Sequence, residues 1–196
     1  MPHPRLIIGI SGASGIIYGI RLLEILKTLP VETHLVVSKA GQLTRAYETS
    51  MTLGELKALA DVYHANADVA APIASGSFKT MGMIIAPCSM KSLGEIAQGI
   101  GSTLLTRAAD VVLKERRRLV LMPRETPLHL RHLENMVSIT QMGGIICPPV
   151  PAFYNKPETI MDIVNDNVSR VLELFDLDSG LQRPWGEPSL GAPSNV

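Results

Sequence analysis

Cysteine is almost absent from this chain. Cys88 and Cys147 stand alone, without CxxC or His spacing, so neither a disulfide framework nor a zinc site fits, and both are expected to be plain buried thiols. An excess of one charge is also missing. Lys plus Arg and Asp plus Glu number 18 each, so no whole-molecule field draws nucleic acid or an acidic membrane surface, and any anion must be held by local placement of charge. No apolar run approaches the roughly 20 residues needed to span a bilayer. Met1-Pro2-His3-Pro4-Arg5 leads straight into a strand-like run rather than a signal peptide, so a cytoplasmic protein is expected. Aromatics are only 4 %, beside nine Met and sixteen Gly, a profile that suits a protein with much of its surface buried in a homo-oligomer.

What is there is core material. Hydrophobic residues make up 46 % and charged residues 18 % of 196 residues, which excludes a disordered chain and fits one domain. Apolar runs of strand length alternate with helical periodicity throughout, the pattern of βαβ units. Strands are expected at residues 5–10, 32–37, 61–64, 81–87, 119–123 and 144–148. Helices are expected near 16–29, 43–49, 53–60, 89–98, 103–116, 127–142 and 157–175. Thr52-x-x-Glu55 forms a capping box, and Thr126-Pro127 and Lys156-Pro157 place proline in a first helical turn. The expected fold is a three-layer α/β/α domain on a six-stranded parallel sheet, Rossmann- or flavodoxin-like, over residues 1–185. Residues 65–79, rich in Ala, Ser and Gly, read as a mobile loop, and 186–196 as a disordered tail or one that wraps a neighbouring subunit.

Open parallel sheets bind ligands beyond the carboxyl ends of their strands, so the residues after each strand matter most. The first strand runs into Ser11-Gly12-Ala13-Ser14-Gly15, a tight turn whose backbone N–H groups at a helix start favour an anion or an electron-rich ring edge. The second ends in Ser38-Lys39, the fourth in Cys88-Ser89-Met90-Lys91-Ser92, and the fifth in Arg124-Glu125-Thr126. A dinucleotide site would place an acidic residue after the second strand; a hydroxyl and a cation stand there instead, which suits a mononucleotide phosphate. The GxxxxGK[ST] pattern of ATP-binding loops is absent.

Other candidates admit plainer readings. Glu48 is either a solvated helical carboxylate or a functional one. Arg107 and Lys114, seven apart on one helical face, read by themselves as an exposed face with an Asp110/Lys114 pair. Tyr154, in a stiff proline-rich loop, is a packed tyrosine or a functional one, and Arg170 alone reads as a surface residue. His129 and His132 lack accompanying carboxylates or thiols for a metal site. Asp162 and Asp166 lack the DDxxD pattern and read as a solvated face.

Taken together, the Ser-Gly-Ala-Ser-Gly turn, Ala74-Ser75-Gly76-Ser77, Pro87-Cys88-Ser89, the block from Thr106-Arg107-Ala108-Ala109-Asp110 to Arg124-Glu125-Thr126-Pro127, and Pro151-Ala152-Phe153-Tyr154 resemble the UbiX-type flavin prenyltransferases, over nearly the whole chain. The resemblance implies a metal-independent enzyme that joins the dimethylallyl group of dimethylallyl phosphate to N5 and C6 of reduced FMN and releases phosphate. It also implies a dodecamer with sites at subunit interfaces, and delivery of prenylated FMN to a UbiD-type decarboxylase. By motif match, FMN is held by Gly12, Ala13, Ser14, Ser38, Ser89, Met90, Lys91, Ser92 and Arg124. Dimethylallyl phosphate falls to Tyr154 and Arg170, with Lys114 and Arg107 near its phosphate. Glu48 is the acid/base, with Ser14, Tyr154 and Lys114 completing the catalytic set, and Trp185 closes over the site.

Two rivals remain. A flavin-dependent decarboxylase would use a catalytic His and a Cys-bearing flap, whereas a Pro-Val-Pro-Ala-Phe-Tyr stretch follows the sixth strand and neither Cys lies in a flap-like segment. A non-catalytic FMN carrier would have no use for a second phosphate site. One geometric demand follows from helical rise, which puts Tyr154 and Arg170 roughly 20 Å apart along one chain. They share one small phosphate only if the loop before Pro157 folds back or Arg170 comes from a neighbouring subunit.

Overall fold

The computed structural model describes residues 3–181. Two compact units divide the chain, Met1–Pro149 and Val150–Val196. The first unit holds strands β1 (Arg5–Ile10), β2 (Glu32–Val37), β3 (Val62–His64), β4 (Gly82–Cys88), β5 (Arg118–Pro123) and β6 (Ile145–Ile146). Its helices are α1 (Ile16–Leu26), α2 (Lys39–Glu48), α3 (Leu53–Ala58), α4 (Met90–Ala97), α5 (Leu104–Lys114) and α6 (Leu130–Gln141). The second unit holds a 3-10 turn at Phe153–Asn155 and α7 (Ile160–Glu173).

All pairings are parallel, and the sheet order is β3-β2-β1-β4-β5-β6. The central strands are apolar on both faces because both are covered, as a parallel sheet demands. One face, with Ile7, Val36, Met83, Ile85, Leu119 and Leu121, packs on Leu93 and Ile96 of α4 and on Leu105, Ala108 and Val112 of α5. On the other, α1 lies against β1 and β4 and buries Ile16, Ile20 and Leu23. Successive crossovers run from β1 outward to β3, and the next strand, β4, starts on the opposite side of β1. The carboxyl ends of β1 and β4 are therefore the point where winding reverses, the usual binding crevice of such sheets.

Several elements begin elsewhere than periodicity predicts. The second helix starts at Lys39 rather than residue 43, because the Ser38 hydroxyl accepts the Gly41 N–H at 3.0 Å and caps it. Proline does not open α6 or α7. Those helices start at Leu130 and Ile160, the latter under a Thr159/Asp162 capping box. Asp162 is thus a cap and not merely a solvated carboxylate. Residues 65–79 are not a loose loop. Asn66 accepts the Leu104 and Leu105 N–H groups at 2.9 and 3.1 Å, Arg117 donates to the Phe78 and Gly76 carbonyls at 2.7 and 2.6 Å, and Ala71 and Ile73 are buried. Cys88 is fully buried and its thiol is pushed up to about 12 by desolvation, whereas Cys147 is only half-buried.

Candidate functional site at the winding reversal

Four strand ends are stitched together at the crevice. Ser38 N–H donates to the Ile10 carbonyl at 2.9 Å, joining the ends of β2 and β1, and Arg124 N–H donates to the Cys88 carbonyl at 3.2 Å, joining β5 to β4. Between β1 and β4 stands Ser11, 1 % exposed, whose hydroxyl donates to the Pro87 carbonyl at 3.0 Å and accepts the Ser89 N–H at 2.7 Å. Gly12, Ala13, Ser14, Ser38, Ser89, Met90, Lys91, Ser92 and Arg124 all gather on this edge of the first unit.

Each residue there has a local reason. A Cβ on Gly12 would fall 2.3 Å from the Ala40 Cβ, so only glycine lets the turn lie against the start of α2. Ser89 caps α4, accepting the Ser92 N–H at 3.2 Å and donating to the Ser92 hydroxyl at 3.1 Å. Lys91 reaches along α4 to Glu95 at 3.4 Å with its side chain largely in solvent. The guanidinium of Arg124 has no hydrogen-bond partner among the described residues and acts through charge on both Glu48 and Tyr18.

Glu48 is the last residue of α2 and takes the place at the start of α1 that the sequence left open for an anion. Its carboxylate accepts the Gly15 N–H at 2.9 and 3.2 Å and the Ile16 N–H at 3.0 Å. Gly15, at φ +102°, has no side chain to cap α1, and Glu48 caps it from another helix. Partial burial pushes this carboxyl up, but hydrogen bonds from Ser14, Ile16 and Gly15 and the charge of Arg124 together outweigh it. The net shift is downward, so Glu48 is a carboxylate near neutral pH.

The prenyl-phosphate candidates are placed differently. Lys114 ends α5 and bonds Glu115 at 2.6 Å rather than pairing with Asp110, which instead holds Arg107 at 2.9 Å. Its ammonium stands 2.9 Å from where a Gly76 Cβ would be, beside the loop that Arg117 grips just before β4 begins. That is the amino edge of the sheet, about 20 Å of strand from Glu48. Arg107, two turns earlier on α5, lies roughly 10 Å nearer the crevice end of that helix. The structure therefore does not bring Lys114 to Glu48 within one chain.

In the second unit, Tyr154 is exposed, and Arg170 is exposed and paired with Glu173 at 2.8 Å. Asn155 donates to the Asp166 carboxylate at 3.0 Å, so the loop folds back along α7. Asp166 is one helical turn, about 6 Å, from Arg170, which removes the separation that helical rise alone imposes. Asp166 is thus engaged rather than solvated. Trp185 and residues 186–196 lie outside the described residues.

Two residues of this neighbourhood escape a reading of the sequence. Ser11 follows β1 as one more small polar residue, its bonds lying far along the chain at Pro87 and Ser89. Tyr18 packs its ring within 3.1 Å of where a Gly15 Cβ would be, and its phenol is pushed up by burial and partly drawn back by Arg124.

A parallel sheet whose helix starts converge on its winding reversal, with hydroxyls and a cation in place of a ribose-gripping acid, defines a mononucleotide-binding α/β protein, and a family model described as Flavoprotein matches residues 1–172. The flavin prenyltransferase UbiX of Neisseria meningitidis serogroup B is 58 % identical over 181 residues, covering 92 % of this chain and 96 % of that protein. The crystal structure of AnUbiX (PadA1) in complex with FMN and dimethylallyl pyrophosphate superimposes with a TM-score of 0.93 at 49 % identity, covering 94 % of this chain and 98 % of that one. A dodecameric FMN-dependent UbiX-like decarboxylase from Escherichia coli O157:H7 follows with a TM-score of 0.91 at 52 % identity, covering 93 % and 100 %. The chain belongs to the UbiX family of flavin prenyltransferases.

Proposed function

We propose that this protein transfers the dimethylallyl group of dimethylallyl phosphate to N5 and C6 of reduced FMN, releases phosphate, and passes the prenylated FMN to a UbiD-type decarboxylase in the cytoplasm. One observation carries the reading. Glu48, an ionised carboxylate, is held on the Gly15 and Ile16 amides at the winding reversal, within the field of Arg124.

The residues present suit FMN. Gly12 and Ala13 keep the turn after β1 bare of long side chains, the hydroxyls of Ser38 and Ser92 keep a hydrogen to donate, those of Ser14 and Ser89, whose hydrogens go to Glu48 and Ser92, offer acceptor oxygens, and Arg124 offers an unpaired cation for a phosphate dianion. Met90 and Lys91 complete the α4 start. Reduced FMN supplies the electron-rich acceptor atoms for the prenyl group. Glu48, already deprotonated, takes up the proton that the acceptor must lose, with Ser14 fixing the carboxylate by its hydrogen bond.

Tyr154 and Arg170, with the loop folded onto α7, bind the phosphate of the prenyl donor and neutralise its charge on departure, each charge-assisted contact contributing roughly 1.5–3 kcal/mol. Lys114 and Arg107 add cations. Because Lys114 lies at the far edge of its own sheet, it serves the crevice of another copy, which makes the homo-oligomer part of the site. The dodecamer of the Escherichia coli O157:H7 relative is the assembly we assign to this chain.

A flavin-dependent decarboxylase and a passive FMN carrier are the rival readings. Purified protein mixed with reduced FMN and dimethylallyl phosphate is expected to give a flavin carrying one added dimethylallyl group by mass spectrometry, with one phosphate released. Bound but unmodified FMN would leave the carrier, and loss of carbon dioxide from an acid substrate with no flavin adduct would leave the decarboxylase. Dimethylallyl diphosphate run beside the monophosphate tests the donor.

A further inference from the structure

We infer that Ser11 is the positioning residue that locks the two flavin-facing turns to each other, an inference that rests on the flavin reading above. Regular β1/β4 pairing stops at Gly9 and Ile85, and the register of β4 against β5 shifts between Ile85 and Cys88. Beyond that point no ladder holds the ends of β1 and β4 together. Pro87 has no N–H to donate, so only its carbonyl faces β1. Ser11 takes that carbonyl twice, with its own N–H at 3.1 Å and its hydroxyl at 3.0 Å.

The same hydroxyl oxygen accepts the Ser89 N–H at 2.7 Å, and the Ser11 carbonyl accepts the Ala13 N–H at 3.0 Å. One buried side chain therefore fixes the α4 start, whose Ser89 sets Ser92, while its backbone fixes the turn that carries Gly12 and Ser14. A hydroxyl is needed because it must donate and accept at once within a space that excludes water, and only Ser or Thr does both at this size. Removing it leaves the Ser89 N–H without its partner and leaves the two turns joined only by the Ser11 N–H on the Pro87 carbonyl, so the α4 start is no longer held to the turn. Ser11 itself stays under the turn and touches no substrate.

The test is flavin titration with Ser11→Ala, Ser11→Thr and the wild type, each checked by circular dichroism. Ser11→Ala is expected to keep its helix content yet weaken FMN binding about tenfold or more, with Ser11→Thr restoring affinity to within about threefold of wild type. At saturating FMN, the KM for dimethylallyl phosphate in Ser11→Ala should stay within about twofold, since Tyr154 and Arg170 belong to another part of the chain. A merely structural serine would shift both parameters together. Unchanged FMN affinity in Ser11→Ala, or no rescue by threonine, would overturn the proposal while wild-type FMN binding kept the flavin reading intact. If wild type bound no FMN, both would fall together. Should Ser11→Ala not fold, Ser11→Cys keeps the volume with only a weak donor and acceptor, and the same loss of FMN affinity is expected of it.

Discussion

Glu48 caps a helix that is not its own, accepting the Gly15 N–H at 2.9 Å across 33 residues of chain. The positive end of α1 is thereby occupied by a carboxylate of the protein, and that carboxylate is kept ionised beside the proposed flavin. Glu48→Gln preserves the size and one acceptor but removes the base. FMN affinity should stay near wild type while prenyl transfer slows by about 10²–10⁴, read by single-turnover formation of the adduct. A Gln variant at wild-type rate would leave Glu48 as a helix cap alone.

Arg124 stands at the end of β5 with a guanidinium that no described residue pairs. Replacing it with alanine should weaken FMN binding by about ten- to a hundredfold, the worth of one charge-assisted contact to phosphate. Riboflavin, which lacks the phosphate, should lose little by the same substitution. Equal losses for both ligands in fluorescence titration would take Arg124 away from the phosphate.

Arg170 and the Asn155–Asp166 contact form one prediction about the prenyl donor. Arg170→Ala is expected to lower transfer by more than about tenfold while FMN stays bound. Asn155→Ala, which lets the loop leave α7, should raise the KM for dimethylallyl phosphate by a few-fold with little change in kcat at saturation. An Arg170→Ala rate and affinity within about twofold of wild type would sink the phosphate assignment.

A buried pair on β2 and β3 adds an acid-sensitive contribution to stability. His34 and His64 meet nitrogen to nitrogen at 2.9 Å, His34 also holds Glu32 at 2.8 Å, and both rings are buried. Desolvation, and then the neighbouring His34, push His64 below its ordinary 6.5, with Asp68 pulling the other way. Arg5 and Asp61 are the remaining charged groups beside this cluster. The unfolded chain takes up a proton near pH 6.5 that folded His64 resists, so stability is full above that pH and lost as pH falls below it. Urea midpoints are expected to drop between pH 7 and pH 5, and His64→Leu should flatten that slope. A slope identical in the variant would place the acid sensitivity elsewhere.

The sequence by itself determined the parallel α/β fold, because continuous apolar runs separated by helical periodicity describe elements locally and admit few topologies. β1, β2 and α1 begin where the residues place them. It also carried the crevice as far as the residues that follow each strand, since those positions share one sheet edge by construction. Polar Lys39–Gln42 shows no helical apolar stripe, and only the Ser38 cap starts α2 there. Tertiary structure alone decided that Glu48 meets Gly15, that Ser11 joins Pro87 to Ser89, that Lys114 faces the opposite sheet edge, and that Asn155 folds back onto Asp166. Each of those contacts joins residues well separated along the chain or set by the direction of a helix across the sheet. Local periodicity records which side of an element is apolar, and it holds no record of what that element will touch.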